Sequence, residues 1–325
     1  MNVNYFSKNN LNFIDVYNDC GLRVIFCDLG ASIFNILFNN ESMVRNVKDI
    51  EDFKRPDCYY GKTIGRTSGR IRGDLITIND KSYQLESNER GNVLHGGKSG
   101  FSNQRFNFRV EIFAEHIDVV FNYLSKDLEG GYPGNVNVEA RYVVHKRENR
   151  IDVLYNASSD QDTLLCMTNH SYFTLGDKDL SNLELKINAH TYLTNDEKDM
   201  LPKGKEVVNN ILDFTEFKKI CQDIEDPSLK GPAMNGYDNL YYLDEVNEEV
   251  LNASLRNDRY QLDILSNYEG LVVYTSNYKP NFELNNSTQI RDSIALEPSD
   301  SLLDSHLLLK DHLYSRKISY IFKAL

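Results

Sequence analysis

Apolar and polar residues alternate with period two along much of the chain. Val136 to Val144 reads V-N-V-E-A-R-Y-V-V, Arg150 to Tyr155 reads R-I-D-V-L-Y, Leu183 to Ile187 reads L-E-L-K-I, and Tyr260 to Leu265 reads Y-Q-L-D-I-L. Successive strand side chains point to opposite faces, so this pattern predicts antiparallel strands with one face in a core. Turn-forming pairs punctuate the runs: Asn79-Asp80, Gly130-Gly131, Pro133-Gly134 and Asn195-Asp196. One stretch predicts a helix instead. Asp213-Phe214-Thr215-Glu216 has the form of a capping box and opens an amphipathic segment toward Ile224. The fold class expected is all-β, with few short helices.

Neither internal repeats nor linker composition divide the chain, so one large β domain over residues 1–325 is expected, with a division near residue 200 as the alternative. With 41% apolar residues, the chain can bury a large core. The net charge of −12 argues against nucleic acid or an anionic membrane as partner, but not against a neutral small molecule. No apolar run is long enough for a membrane helix, and residues 1–17 lack the apolar run of a signal peptide. Five cysteines with no CxxC pair point to free thiols in a cytoplasmic protein.

Several familiar motifs fail on inspection. Gly61 to Gly73 reads G-K-T-I-G-R-T-S-G-R-I-R-G, but Pro56 stands where a phosphate loop needs its first glycine. The histidines show neither H-x-x-x-H nor zinc-type spacing, so no metal or other cofactor is expected.

Four segments carry candidate chemistry. Gly65 to Ile71 alternates arginines with small residues, and a guanidinium fork such as that of Arg70 matches vicinal hydroxyls or a carboxylate. The bland alternative is a surface strand with solvated arginines. Asn92 to Gly97 places His95 on a loop before a Gly-Gly turn. Thr168 to Phe173 sets His170 among Asn, Ser and Tyr, whose polar groups could orient a general acid or base. Ile294 to Pro298 holds Glu297 between apolar residues and proline; aimed into a pocket, it would have a raised pKa and serve as a base. A carboxylate beside His170 would in turn raise the histidine's pKa.

Together these segments resemble the aldose 1-epimerase family. The resemblance rests on the Arg70 run, L-H-G-G followed by G-F, E-G-G-Y-P-G at 129–134, T-N-H-S-Y-F at 168–173, G-Y-D-N at 236–239 and A-L-E-P at 295–298, in that order. It implies a galactose mutarotase-like β-supersandwich, built as a single large antiparallel sandwich. It also implies His170 as general acid and Glu297 as general base, with Arg70, His95 and Asp238 holding sugar hydroxyls. The function implied is interconversion of the α and β anomers of a free hexose, galactose or glucose, with a homodimer left open. Three departures stand out. Asn239 replaces a histidine, Val272 stands where the family often has glutamine, and a tryptophan after G-F is missing, with Phe106 expected to fill its place. Two alternatives share the fold: a hexose 6-phosphate epimerase using Lys62, Arg66, Arg70 and Arg72, or a non-catalytic sugar-binding module. A lyase or hydrolase is a third, but a hydrolase usually needs two carboxylates.

Overall fold

The computed structural model describes residues 1–300 and 306–325. Three antiparallel sheets dominate it. The largest has nine strands, in the order Asn107–Ile112, His116–Ser125, Val136–His145, Arg150–Ser159, Leu313–Ala324, Tyr260–Ser266, Asn247–Arg256, Glu184–Ile187 and Lys218–Lys219. All four segments singled out by period-two alternation lie in it. A five-stranded sheet is formed from Asn2–Lys8, Leu11–Tyr17, Leu22–Cys27, Ser32–Phe38 and Glu41–Ser42. A six-stranded sheet runs Tyr172–Phe173, Ile294–Ser299, Gly270–Tyr274, Asp238–Tyr242, Thr191–Asn195 and Pro202–Val207. This is the supersandwich architecture, with a single four-residue α-helix at Ile50–Phe53 among the described residues.

All three sheets contribute to one core, which holds Val24 and Ile36, Val119 and Val153, and Val273 and Leu296. Burying such residues is the main favourable term in folding, at ~25 cal/mol per Å² of apolar surface. In the six-stranded sheet the alternation has a functional consequence. Tyr241, Leu271, Val273, Ile294 and Leu296 enter the core. Asp238, Leu240, Val272, Tyr274 and Glu297 face a cavity on the opposite side.

The helix expected from Asp213 toward Ile224 does not form. Asp213 accepts hydrogen bonds from the Thr215 backbone N (2.9 Å) and hydroxyl (2.7 Å), closing a local turn. Lys218–Lys219 then pairs with the edge strand at Glu184 and Leu185, leaving a 3₁₀ turn at Ile220–Gln222. The capping side chain found a turn, and burial of Phe214 and Ile220 in the core overrode the helical pattern.

Candidate active site

The cavity over the six-stranded sheet has a volume of about 410 Å³ and is lined by all five residues singled out in the sequence: Arg70, His95, His170, Asp238 and Glu297. That volume is in the range of small-molecule sites.

His170 sits where two pairings meet. Thr168–Asn169 pairs with Thr63–Ile64, and Tyr172–Phe173 pairs with Ile294–Ala295. The His170 backbone N donates to Lys62 O (3.0 Å) and its carbonyl accepts from Gly61 N (2.8 Å). Of the three neighbours expected to orient the ring, Asn169 and Ser171 do not hold it. Asn169 Nδ2 donates to Gly61 O (3.0 Å) and Ser171 Oγ to Asn169 Oδ1 (2.6 Å), so both secure the backbone. The imidazole instead stacks with Tyr172, with centroids 4.7 Å apart, and with Tyr59, at 5.9 Å. Its Nε2 stands 3.2 Å from Glu297 Oε1, with both side chains at most 5% exposed.

Burial sets the electrostatics of this pair. It pushes His170 down to about 3, where the sequence alone suggested a carboxylate-driven rise. It pushes Glu297 well above the usual carboxylate range, with the Asp238 charge adding to the rise and Arg70 opposing it. Both shifts disfavour a net charge in a dry site, so the two groups share one proton over a wide span of pH.

Arg70 lies on one of two paired short strands and His95 directly follows the other, with Arg70 opposite Leu94. Arg70 Nε donates to Glu89 Oε2 at 2.7 Å and Nη2 to Glu89 Oε1 at 3.2 Å, while Nη1 stands 3.7 Å from Asp238 Oδ2. Burial opposes its charge, but Asp238 and Glu89 together hold the guanidinium firmly ionised. Burial raises the pKa of Asp238, with Arg70 pulling the other way. The Gly69 N–H donates to His95 Nδ1 (3.3 Å), which places the ring proton of the neutral imidazole on Nε2. Burial, His170 and Arg70 all keep His95 neutral. Gly96 makes this loop feasible: at φ +84 a Cβ would lie 2.0 Å from Gly65 O.

Other motif residues are structural. Arg66 is neither solvated nor in the cavity. It donates to Ser125 Oγ (2.9 Å) and to the carbonyls of Pro133 (2.8 Å), Gly134 (2.9 Å), Lys126 (2.9 Å) and Ser125 (3.1 Å). It thereby ties the E-G-G-Y-P-G stretch to the Arg70 segment. Phe106 is buried against Tyr123, at 5.1 Å between centroids, in keeping with a packing role. Tyr59 and Glu89 belong to the site and were not singled out in the sequence. Among the described residues, Cys166, Asp300 and His306 form a grouping of metal-donor side chains. It lies outside the cavity lining, and Asp300 already accepts twice from Arg316 Nε, at 3.0 Å each.

A sheet floor carrying a buried carboxylate and imidazole in contact, with an ionised arginine, a neutral histidine and an aspartate around them, is an arrangement capable of moving protons to and from a polar ligand. Comparison with known proteins identifies the family. Residues 13–320 match the family model for aldose 1-epimerase, and the chain belongs to that family of isomerases. It is 31% identical to an aldose 1-epimerase of Haemophilus influenzae, over 87% of this chain and 85% of that one. It is 30% identical to the human galactose mutarotase, over 73% of this chain and 68% of that one. The crystal structure of a galactose 1-epimerase from Lactobacillus acidophilus superposes with a TM-score of 0.89 at 28% identity, covering 99% of each chain.

Proposed function

We propose that this protein interconverts the α and β anomers of a free hexose, galactose or glucose, using Glu297 and His170 as the proton-exchanging pair. The observation that carries this is the 3.2 Å contact between His170 Nε2 and Glu297 Oε1 on the cavity floor. Mutarotation needs one group to take the proton from the anomeric hydroxyl and another to give one to the ring oxygen as the C1–O5 bond breaks. The hydroxyl oxygen becomes the aldehyde carbonyl, C1–C2 rotates, and the reverse transfers close the ring on the other face. The pair starts and ends with one shared proton. Positioned acid–base groups contribute ~10²–10⁴-fold each. His95, with its proton on Nε2, and Arg70 and Asp238 are suited to hold hydroxyls.

Of the four cations considered for a sugar phosphate, only Arg70 lines the cavity. Lys62 and Arg66 are buried, Arg70 is held by Glu89, and Arg72 faces Asp199 at 3.9 Å. This favours a neutral sugar. A cytoplasmic setting is supported by five free thiols, and no helix of the described residues is long and apolar enough to cross a membrane. One domain over 1–325 is supported by a core drawing on residues from Ile14 to Phe322.

Polarimetry of freshly dissolved α-D-galactose and α-D-glucose tests the proposal. Acceleration of the approach to anomeric equilibrium is expected, and its absence with both sugars refutes it.

A further inference from the structure

A histidine that exchanges protons must hold its ring in one plane, yet the torsion about its Cβ–Cγ bond is intrinsically broad. The usual restraint is a hydrogen bond on the ring nitrogen away from the reaction. His170 lacks one. Its Nδ1 is buried and has no hydrogen-bond partner among the described residues, while Nε2 stands 3.2 Å from Glu297 Oε1. What meets the imidazole is a set of rings. Tyr172 lies at 4.7 Å between centroids and 23° between planes, and Tyr60 stacks on Tyr172 in turn, at 4.2 Å and 25°. Tyr59 is more distant, at 5.9 Å, and His95 meets the imidazole at 5.2 Å and 82°. The two stacked tyrosines are anchored to the backbone that carries the proton pair. Tyr172 pairs with Ala295, two residues before Glu297, and Tyr60 precedes Gly61, whose N–H donates to the His170 carbonyl.

We infer that Tyr172 is a positioning residue for proton transfer: its ring, backed by Tyr60, holds the His170 imidazole in the plane that keeps Nε2 on Glu297, in place of a hydrogen bond at Nδ1. The inference rests on the mutarotase reading above. Aromatic rings at these separations favour stacked or edge-on arrangements, so the contact restrains the plane without engaging either nitrogen. An acceptor at Nδ1 would restrain it too, but would also favour the doubly protonated imidazolium. Tyr172 is 7% exposed, so loss of its ring disturbs the imidazole more than the groups suited to hold sugar hydroxyls.

The test compares Tyr172→Phe, which keeps the ring, with Tyr172→Leu, which removes the flat face. Tyr172→Leu should lower kcat for galactose or glucose by ~10-fold to 10²-fold, the scale of a misplaced reacting group, with KM within about twofold of wild type. Tyr172→Phe should keep kcat within about twofold. If Tyr172→Leu does not fold, Tyr172→Met, of similar bulk without a planar face, takes its place. A fall in kcat below about threefold overturns the inference, as does a rise in KM at constant kcat, which would make Tyr172 a sugar contact. An equal loss in Tyr172→Phe would assign the effect to the hydroxyl and overturn it as well. The wild-type protein gives a readout that needs neither variant nor turnover. With isotope-labelled histidine, the ring protons of His170 should resonate upfield of free histidine because of the tyrosine face. Resonances at free-histidine positions overturn the inference. Absence of turnover of both sugars by the wild-type protein would instead defeat the mutarotase reading and leave that displacement in place, so the two failures are distinct.

Discussion

Arg70 makes its short contacts with Glu89, at 2.7 Å, and stands 3.7 Å from Asp238. Glu89 therefore aims the guanidinium at the cavity while Asp238 shares its charge. Removing it with Glu89→Ala frees the fork to rotate. KM for hexose should rise several-fold, with a smaller change in kcat, because a positioning contact is lost rather than a reacting group. Steady-state polarimetry separates the two parameters, and a fall in kcat at constant KM would contradict the positioning role.

Glu297→Gln and His170→Ala should each lower kcat by ~10²-fold or more, the scale of positioned acid–base catalysis. Circular dichroism should remain native. Near-wild-type turnover by either variant would remove the pair from the mechanism.

The pH dependence follows from the directions of the two shifts. Burial pushes His170 down to about 3, so the pair takes up its second proton only well below the ordinary histidine range. Burial raises Glu297, so the last proton leaves above the ordinary carboxylate range. The one-proton pair is the working form, and kcat/KM should show a bell whose acid limb lies below pH ~6. An acid limb centred at an ordinary histidine value, or no falling limb on either side, would count against the shared proton.

Arg66 predicts a stability effect. Arg66→Met leaves two hydroxyls and four carbonyls, three of them buried, without their charged donor. Orphaned buried groups cost ~1–3 kcal/mol each, so a loss of at least ~3 kcal/mol is expected. Thermal unfolding should show Tm lowered by roughly 5 °C or more. An unchanged Tm would mean that water replaces the guanidinium.

Local pattern made much of this molecule legible. His170 and Glu297 lie in short segments whose apolar and polar order survives folding, and the strands at 136–145 and 150–159 alternate as the final sheet does. Other features depend on partners remote in the chain. Glu89 is nineteen residues from Arg70 and reaches it only because Arg70–Ile71 pairs with Val93–Leu94. Tyr59 flanks His170 from a stretch with no strand or helix pattern. Arg66 and Arg70 share one motif, yet one is buried among carbonyls and the other enters the cavity, a division that spacing does not reveal. At Asp213, capping chemistry was correctly located but served a turn, since the following residues were claimed by a sheet edge.

The alternation of the strand Gly270–Tyr274 separates two kinds of selection. Leu271 and Val273 answer to the core, while Val272 and Tyr274 answer to the cavity. Substitutions at 272 can therefore drift through polar and apolar residues without eroding foldability, and without touching the proton pair one strand away. The two faces of this one strand thus stand under separate constraints, one set by packing and the other by whatever occupies the cavity.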